Sequence, residues 1–357
     1  LSSESELGRV MASALVDALM SDLPFANLHF DGKTWNAPVL RKIQAEVVRQ
    51  KAVEQGMEAL RQDAFYLVAG GTGSIGLAAA QRLIDCGAKH IVLLSRTGID
   101  EQSPACDTVK KMKSSCEVLT PVIDICNREA LLGFLDVLRK EFPIAGVIYA
   151  AGAFDITPLT SLTSAECFSV MDSKVIGLRW LDELTREDEI EMFVGFSSIA
   201  SVWGSAGNFH YAAANYAVDS IIYYRQISGL PGAVINWGPW ADSNMVTTES
   251  EKEANRRGLF AMDNAAGLRW LDQFLVRPAA EQTIVAKVQW QRLKPLLDLT
   301  QMGGMLSKLD LDDDNELFEG ENVTLNMHVE LNAIDIAFKK DLVTLSQEQA
   351  EVALLAY

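Results

Sequence analysis

The chain has few histidines, no paired cysteines and no long apolar run. Its four histidines, His29, His90, His210 and His328, lie far apart, so no metal-ligand cluster is expected. Its five cysteines, Cys86, Cys106, Cys116, Cys126 and Cys167, are odd in number and include no CxxC pair. They read as reduced thiols of a cytoplasmic protein rather than as a disulfide frame. No apolar run approaches the ~20 residues that a membrane helix needs, so no membrane partner is expected. The chain starts at Leu1, without a methionine or a signal peptide, and reads as a piece of something longer.

Basic charge is also scarce. There are 31 Lys and Arg against 48 Asp and Glu, a net charge of −17 over 357 residues. Residues 301–357 hold 12 acidic and 3 basic side chains and so carry −9 of that total. Such a balance argues against a nucleic-acid partner, whose phosphates demand Lys and Arg. The acidic run from Asp310 to Glu321 reads as a solvated linker.

What is present is an alternation of strands and helices. Apolar, β-rich runs occur at 65–69, 91–94, 118–123, 146–150, 192–196, 233–236 and 283–288, with helical patterns at 75–86, 128–141, 164–184 and 208–227. Short apolar strands separated by helices imply a parallel sheet covered on both faces. The fold class read from this is α/β: a doubly wound (Rossmann), mostly parallel, seven-stranded sheet. Residues 1–62, with a periodic helix at 7–20, an extended stretch at 27–40 and a charged helix at 41–62, are too few to bury a core alone. Residues 299–357 read as an acidic linker ending in a helix near 347–355.

Gly71-Thr72-Gly73-Ser74-Ile75-Gly76 satisfies GxGxxG. The motif is weak alone, but here it follows a strand and opens a helix, as a dinucleotide loop must. Its glycines let the backbone approach a pyrophosphate, and the helix N-terminus supplies N–H donors. At the end of the second strand stand Ser95 and Arg96, where an NAD-preferring protein places a carboxylate. Arg96 can fork onto a 2′-phosphate, which favours NADPH. Asp124 and Ile125, after the third strand, are expected to flank the adenine. Ala150, Ala151 and Gly152, after the fourth, allow close approach to the cofactor ribose.

Downstream lies a proton-transfer set. Tyr211 has Ser198 13 residues before it, Asn215 4 after it and Lys174 37 before it. A free phenol, with a pKa of ~10, is a poor acid-base group at neutral pH, and a nearby ammonium lowers that value. Ser198, at a strand end, can polarise a carbonyl. Asn215 is one helical turn beyond Tyr211, on the same face, and can order a water or position Lys174.

These residues resemble the short-chain dehydrogenase/reductase superfamily, and more closely the ketoreductase domains of modular polyketide synthases. The superfamily at large places a lysine four residues after the tyrosine. Here Asn215 stands there and Lys174 lies on the preceding helix, an exchange characteristic of the synthase ketoreductases. Phe196-Ser197-Ser198, Asn236-Trp237-Gly238-Pro239-Trp240 and Val288-Gln289-Trp290 match further, and the resemblance covers roughly residues 64–298. It implies a catalytic domain at 63–298, the end of a structural subdomain at 1–62, and a tail at 299–357 leading toward a carrier protein or neighbouring domain. With only the helical stretch 41–62 between the two subdomains, no inserted enoylreductase is expected.

The implied reaction is NADPH-dependent reduction of a 3-oxoacyl thioester on the phosphopantetheine of an acyl carrier protein. Other domains of the same synthase are the expected neighbours. Trp203, eight residues before Tyr211, is a mark of L-hydroxy-forming members. Phe154-Asp155-Ile156 lacks the second aspartate of the D-forming triplet, although Asp155 itself is retained. Asn208 is neither the glutamine nor the histidine usual at its position, so the α-substituent preference stays open. The helical stretch at 250–259 is expected to lie in a lid. Competing readings are a reduction-inactive scaffold, a free-standing ketone reductase, and a 2-oxoacyl reductase of a peptide synthetase.

Overall fold

The computed structural model describes residues 29–30, 35–43, 60–152, 157, 160–205, 207–241, 248–264, 267–268, 270–271, 274, 282–300, 302–309 and 325–334. The expectations for 7–20, most of 41–62, Asp155 and 347–355 lie outside these residues.

The chain divides into two compact units. The smaller comprises Leu1–Arg41, Gln291–Leu311 and Val329–Tyr357. It holds an antiparallel hairpin of β1 (His29–Phe30) and most of β2 (Trp35–Ile43), with Phe30 opposite Trp35.

The larger unit carries the sheet. Its strands are β3 (Phe65–Ala69), β4 (His90–Leu94), β5 (Glu117–Leu119), β6 (Ile144–Tyr149), β7 (Met192–Ser198), β8 (Ala233–Trp237), the two-residue β9 (Leu259–Phe260) and β10 (Gln282–Val288), joined by the first residues of β11 (Leu325–Ile334). The order is β11-β10-β8-β7-β6-β3-β4-β5, with β9 against β10. All pairs from β10 to β5 are parallel. Strand order reverses between β3 and β6, which is where a doubly wound sheet opens a crevice at its carboxyl ends.

The strands are apolar throughout because both faces are covered. All five residues of β3 are buried, and they alternate: Tyr66 and Val68 join one core cluster, Phe65, Leu67 and Ala69 the other. The described helices that precede β9 are α1 (Ser74–Asp85), α2 (Pro104–Met112), α3 (Arg128–Leu138), α4 (Ser164–Met171), α5 (Gly177–Leu184), α6 (Ala200–Trp203), α7 (Phe209–Ile227) and α8 (Thr248–Arg256). No described helix is long and apolar enough to cross a membrane.

Three expectations need correction. The sheet has eight strands, not seven: the tail read as a linker supplies β11, with Thr283 opposite His328 and Ala286 opposite Leu325. The third strand stops at Leu119, and only an isolated Ser95–Val122 bridge follows. Pro121, lacking an N–H, interrupts the ladder between them. The helix expected over 164–184 is broken by a π-helical turn, Asp172–Ile176.

Candidate active site

The crevice is a cleft of about 300 Å³ at the carboxyl end of β3, β4 and β6. Thr72, Gly73, Ser74, Ile75 and Gly76 line one wall, and Ser95 and Arg96 line the floor beside Ala150, Ala151 and Gly152. The glycines are required by space. A Cβ on Gly76 would strike the Gly70 carbonyl, and one on Gly71 would lie 2.7 Å from the Val68 carbonyl. Gly70, with φ of 73°, takes the left-handed conformation that opens the turn. Thr72 donates to the Ser95 hydroxyl at 3.1 Å, tying the loop to the end of β4. The exposed Arg96 guanidinium makes no ion pair among the described residues, so its fork is available to an anion. Ile125 lines the cleft. Asp124 is exposed beside it, between the lining residues Ile123 and Ile125, and its Oδ1 accepts from the Cys126 N–H at 3.0 Å.

Lys174 reaches this cleft from the π-helical turn. Such a turn frees carbonyls from the helical ladder, and two side chains take them up. The Tyr149 hydroxyl donates to the Ser173 carbonyl at 2.7 Å, and the Cys126 thiol to the Asp172 carbonyl at 3.3 Å. Gly177 makes room, since a Cβ there would sit 2.7 Å from the Tyr149 hydroxyl. The Lys174 side chain is buried and runs against Gly152, where a Cβ would lie 2.7 Å from its Cε. Its ammonium lies 5.7 Å from the centre of the Tyr211 ring and donates to the Phe196 carbonyl at 3.4 Å. Burial brings its pKa down to about 8, and the Asp219 carboxylate acts in the opposite direction.

Ser198 ends β7, while Tyr211 and Asn215 lie one turn apart on α7. Tyr211 shares hydrogen bonds with Ser198 and Asn215. These favour its phenolate, but burial outweighs them and holds the phenol above its ordinary range, hence protonated at neutral pH. Asn215 is fully buried. Its Nδ2 donates to the Tyr211 carbonyl at 2.8 Å, and its Oδ1 has no hydrogen-bond partner among the described protein atoms. The four residues therefore lie together beside the cleft.

The sequence reading missed a layer behind them. Asp219, one turn beyond Asn215, is buried. It accepts from Ser201 at 2.6 Å, from Gln282 at 3.1 Å and from Asn236 at 3.1 Å. Asn236 also donates to Ser197 at 3.1 Å, and Ser197 donates to the Asn215 carbonyl at 3.2 Å. The i+8 spacing from Tyr211 was the only local signal for this carboxylate.

Trp203 closes α6 and is buried, its ring 6.5 Å from that of Trp290 in an edge-on arrangement. Asn208, also buried, precedes α7 as its N-cap residue without a side-chain capping bond. No group of metal ligands occurs among the described residues.

A doubly wound sheet with a glycine cleft and a Ser–Tyr–Lys–Asn set defines an oxidoreductase of the short-chain dehydrogenase/reductase superfamily. The model of the KR domain family matches residues 64–242, and the chain belongs to that family as a polyketide synthase ketoreductase domain, which implies a nicotinamide cofactor. It is 36% identical over 227 residues to polyketide synthase GfsA of Streptomyces halstedii, covering 63% of this chain and 3% of that protein. It is 31% identical over 239 residues to the pikromycin polyketide synthase component PikAIII of Streptomyces venezuelae, covering 66% of this chain and 15% of that protein. The chain thus spans a small fraction of these relatives.

Among solved structures, the ketoreductase from the first module of phoslactomycin biosynthesis in Streptomyces sp. HK803 is similar at TM-score 0.66 and 29% identity, covering 80% of this chain and 64% of that one. An A1-type ketoreductase is similar at TM-score 0.66 and 31% identity, covering 72% and 54%. A C2-type ketoreductase from a modular polyketide synthase is similar at TM-score 0.63 and 25% identity, covering 70% and 54%.

Proposed function

We propose that this domain uses NADPH to reduce a 3-oxoacyl chain to the L-3-hydroxyacyl chain. The substrate is carried as a phosphopantetheine thioester on an acyl carrier protein. The observation that carries the reading is the course of Lys174: it passes along Gly152, a wall of the glycine cleft, and ends over the Tyr211 ring. One side chain therefore links the dinucleotide cleft to the proton donor.

The glycine cradle and the free fork of Arg96 fit a dinucleotide with a 2′-phosphate. When bound, that cofactor supplies the hydride. The chain's own residues do the rest. Ser198 and Tyr211 hold the carbonyl oxygen, and Tyr211, protonated at neutral pH, gives it the proton. The Lys174 ammonium offsets the charge that develops on the phenol oxygen. The buried Asn215 Oδ1 suits an ordered water on the route by which Tyr211 is reprotonated.

The L-hydroxy assignment rests on Trp203. The A1-type and C2-type neighbours are about equally similar in fold, so the fold does not decide the product hand. The same reading assigns 63–298 to the catalytic domain, 1–62 to the end of a structural subdomain and 299–357 to a connection toward other synthase domains. It also makes α8 part of a lid over the substrate.

The test is NADPH oxidation with a 3-oxoacyl pantetheine thioester, with chiral analysis of the product and Tyr211→Phe in parallel. Turnover that Tyr211→Phe abolishes, with an L-hydroxy product, is the expected result. A D-hydroxy product would remove the role given to Trp203. Cofactor binding without turnover, on this substrate and on a 2-oxoacyl analogue, would make the domain a scaffold.

A further inference from the structure

We propose that Tyr149 is a positioning residue of the reductive site. From the end of β6 its buried hydroxyl holds the Ser173 carbonyl of the π-helical turn, with the Cys126 thiol as a weaker second support on the Asp172 carbonyl. It thereby fixes where the next residue, Lys174, stands between the dinucleotide cleft and Tyr211. The inference rests on the function proposed above and names what sets the lysine of that site.

The turn, Asp172–Ile176, joins α4 to α5 and carries Lys174 at its centre. A helix leaves its α-helical ladder in this way where side chains take up the freed carbonyls. Two such side chains come from outside the turn. The Tyr149 hydroxyl donates to the Ser173 carbonyl at 2.7 Å, and the Cys126 thiol to the Asp172 carbonyl at 3.3 Å. A thiol is a weak donor, so the phenol is the stronger of the two supports.

Tyr149 is itself held by the sheet. It ends β6 in the parallel ladder, opposite Ala69 of β3 on one side and Gly195 of β7 on the other, and is fully buried. Gly177, the first residue of α5, lets the hydroxyl come close to the helix, since a Cβ there would lie 2.7 Å from it. Burial holds the phenol well above its ordinary range, so it stays a donor at neutral pH. The next three residues, Ala150, Ala151 and Gly152, line the cleft, and the Lys174 side chain runs against Gly152. One strand end therefore sets both the cleft wall and the turn that faces it. Tyr149 does not line the cleft, which is why its role is positional.

The test is Tyr149→Phe, which keeps the ring and removes the hydroxyl. Tyr66→Phe is the control for a merely structural loss: Tyr66 is also fully buried, near the amino end of β3, and its hydroxyl accepts from the Arg61 backbone N–H at 2.8 Å. The place of Lys174 is read from its Cε resonance in the full chain labelled with ¹³C-lysine, assigned by its loss in Lys174→Arg. The Tyr211 ring, 5.7 Å from the ammonium, sets that resonance apart from those of solvated lysines. In Tyr149→Phe the resonance should move toward theirs, and kcat should fall by roughly 10–100-fold with little change in KM. Tyr66→Phe should lower the thermal midpoint and leave both the resonance and kcat near wild type. In a Lys174→Met background Tyr149→Phe should cost almost no further kcat, because the group it positions is gone. An unmoved resonance in folded Tyr149→Phe overturns the proposal, as does an equal displacement in Tyr66→Phe or a full additional loss beside Lys174→Met. If Tyr149→Phe does not fold, Cys126→Ala takes its place: a smaller displacement in the same direction is expected, and an unmoved resonance overturns the proposal. Because the resonance reports without turnover, an inactive wild type would sink the proposed function and still leave this inference decidable.

Discussion

Helix α7 buries two charges, Asp219 at its middle and Arg225 near its C-terminus, and the two are handled differently. Near its C-terminus Arg225, fully buried, donates to Asp182 of α5 at 2.8 Å and to the Pro231 carbonyl at 2.7 Å, with its guanidinium 4.2 Å from the Phe193 ring centre. Asp182 also accepts from Arg186 at 2.7 Å. That end is an ion-paired anchor holding α7 to α5 and β7. At the middle of the helix, Asp219 is held by the neutral donors Ser201, Asn236 and Gln282, and its charge and that of Lys174 each favour the other's ionised form. Ile222 between them, and Val218 just before Asp219, pack against Gly195 of β7. A matched pair gives rigidity but leaves no charge to respond; an anion in neutral donors is costlier, and it stays coupled to what happens at the lysine.

The comparison predicts a division of effects along one helix. At the site end, Tyr211→Phe removes the proton donor but no packing. Reduction should fall by roughly 10²–10⁴-fold, with the thermal midpoint and cofactor affinity kept. At the anchor end, Arg225→Met leaves Asp182 without its buried partner. It should cost about 3–5 kcal/mol in denaturant unfolding, while the turnover of the molecules still folded stays near wild type. If Arg225→Met lowered turnover per folded molecule as strongly as Tyr211→Phe does, the two ends could not be separated in this way.

A third effect comes from pH. The Asp219 carboxyl is raised from 3.8 to about 6. Between those values the folded state binds more protons than the unfolded one, so this group's contribution is fully present below 3.8 and is lost as pH rises through about 6. Asp219→Asn should therefore gain on wild type in unfolding free energy, by about 2–3 kcal/mol between pH 4 and pH 7. Lys174, lowered from 10.5 to about 8, acts in another window: stability rises as pH passes from about 8 toward 10.5. Denaturant unfolding across pH checks both, and a constant difference between Asp219→Asn and wild type from pH 4 to 7 would contradict the first.

Most of the site could be read from spacing. Tyr211 and Asn215 share a helix face at i+4, Ser198 closes an apolar run, and the glycines stand between a strand and a helix. These are local signals with a fixed period. Asp219 continues the same face one turn further, yet its meaning depends on Asn236, Gln282 and Ser201, which come from other elements. No local pattern announces such a partnership. The π-helical turn under Lys174 is hidden for the same reason, since the groups that satisfy it, Tyr149 and Cys126, are distant in sequence. β11 is a different kind of omission. Leu325, Met327, Val329 and Leu331 alternate with Asn326, His328, Glu330 and Asn332, a period of two that marks a strand, and the acidic run before them obscured it.

The smallest predicted effects separate the two positions most finely, because each carboxylate has a secondary partner that can be removed alone. Ser201→Ala takes one hydroxyl donor from the Asp219 anion and leaves Asn236 and Gln282 in place. A hydrogen bond to a charged group contributes about 1.5–3 kcal/mol, so a loss of that order is expected at pH 7.5. Below about 6 the Asp219 carboxyl takes up a proton and needs that donor less, so the loss should shrink at pH 5. Arg186→Met is the counterpart at the anchor end. Arg186 is about one-third exposed, four residues from Asp182, and the buried Arg225 remains after it is removed. Partly solvated pairs at this helical spacing contribute about 0.3–0.5 kcal/mol, so its loss should be the smaller of the two. Unfolding measured for both variants at pH 5 and pH 7.5 decides the matter. A Ser201→Ala loss that does not shrink at pH 5 would mean that Asp219 is held by shape and not by charge.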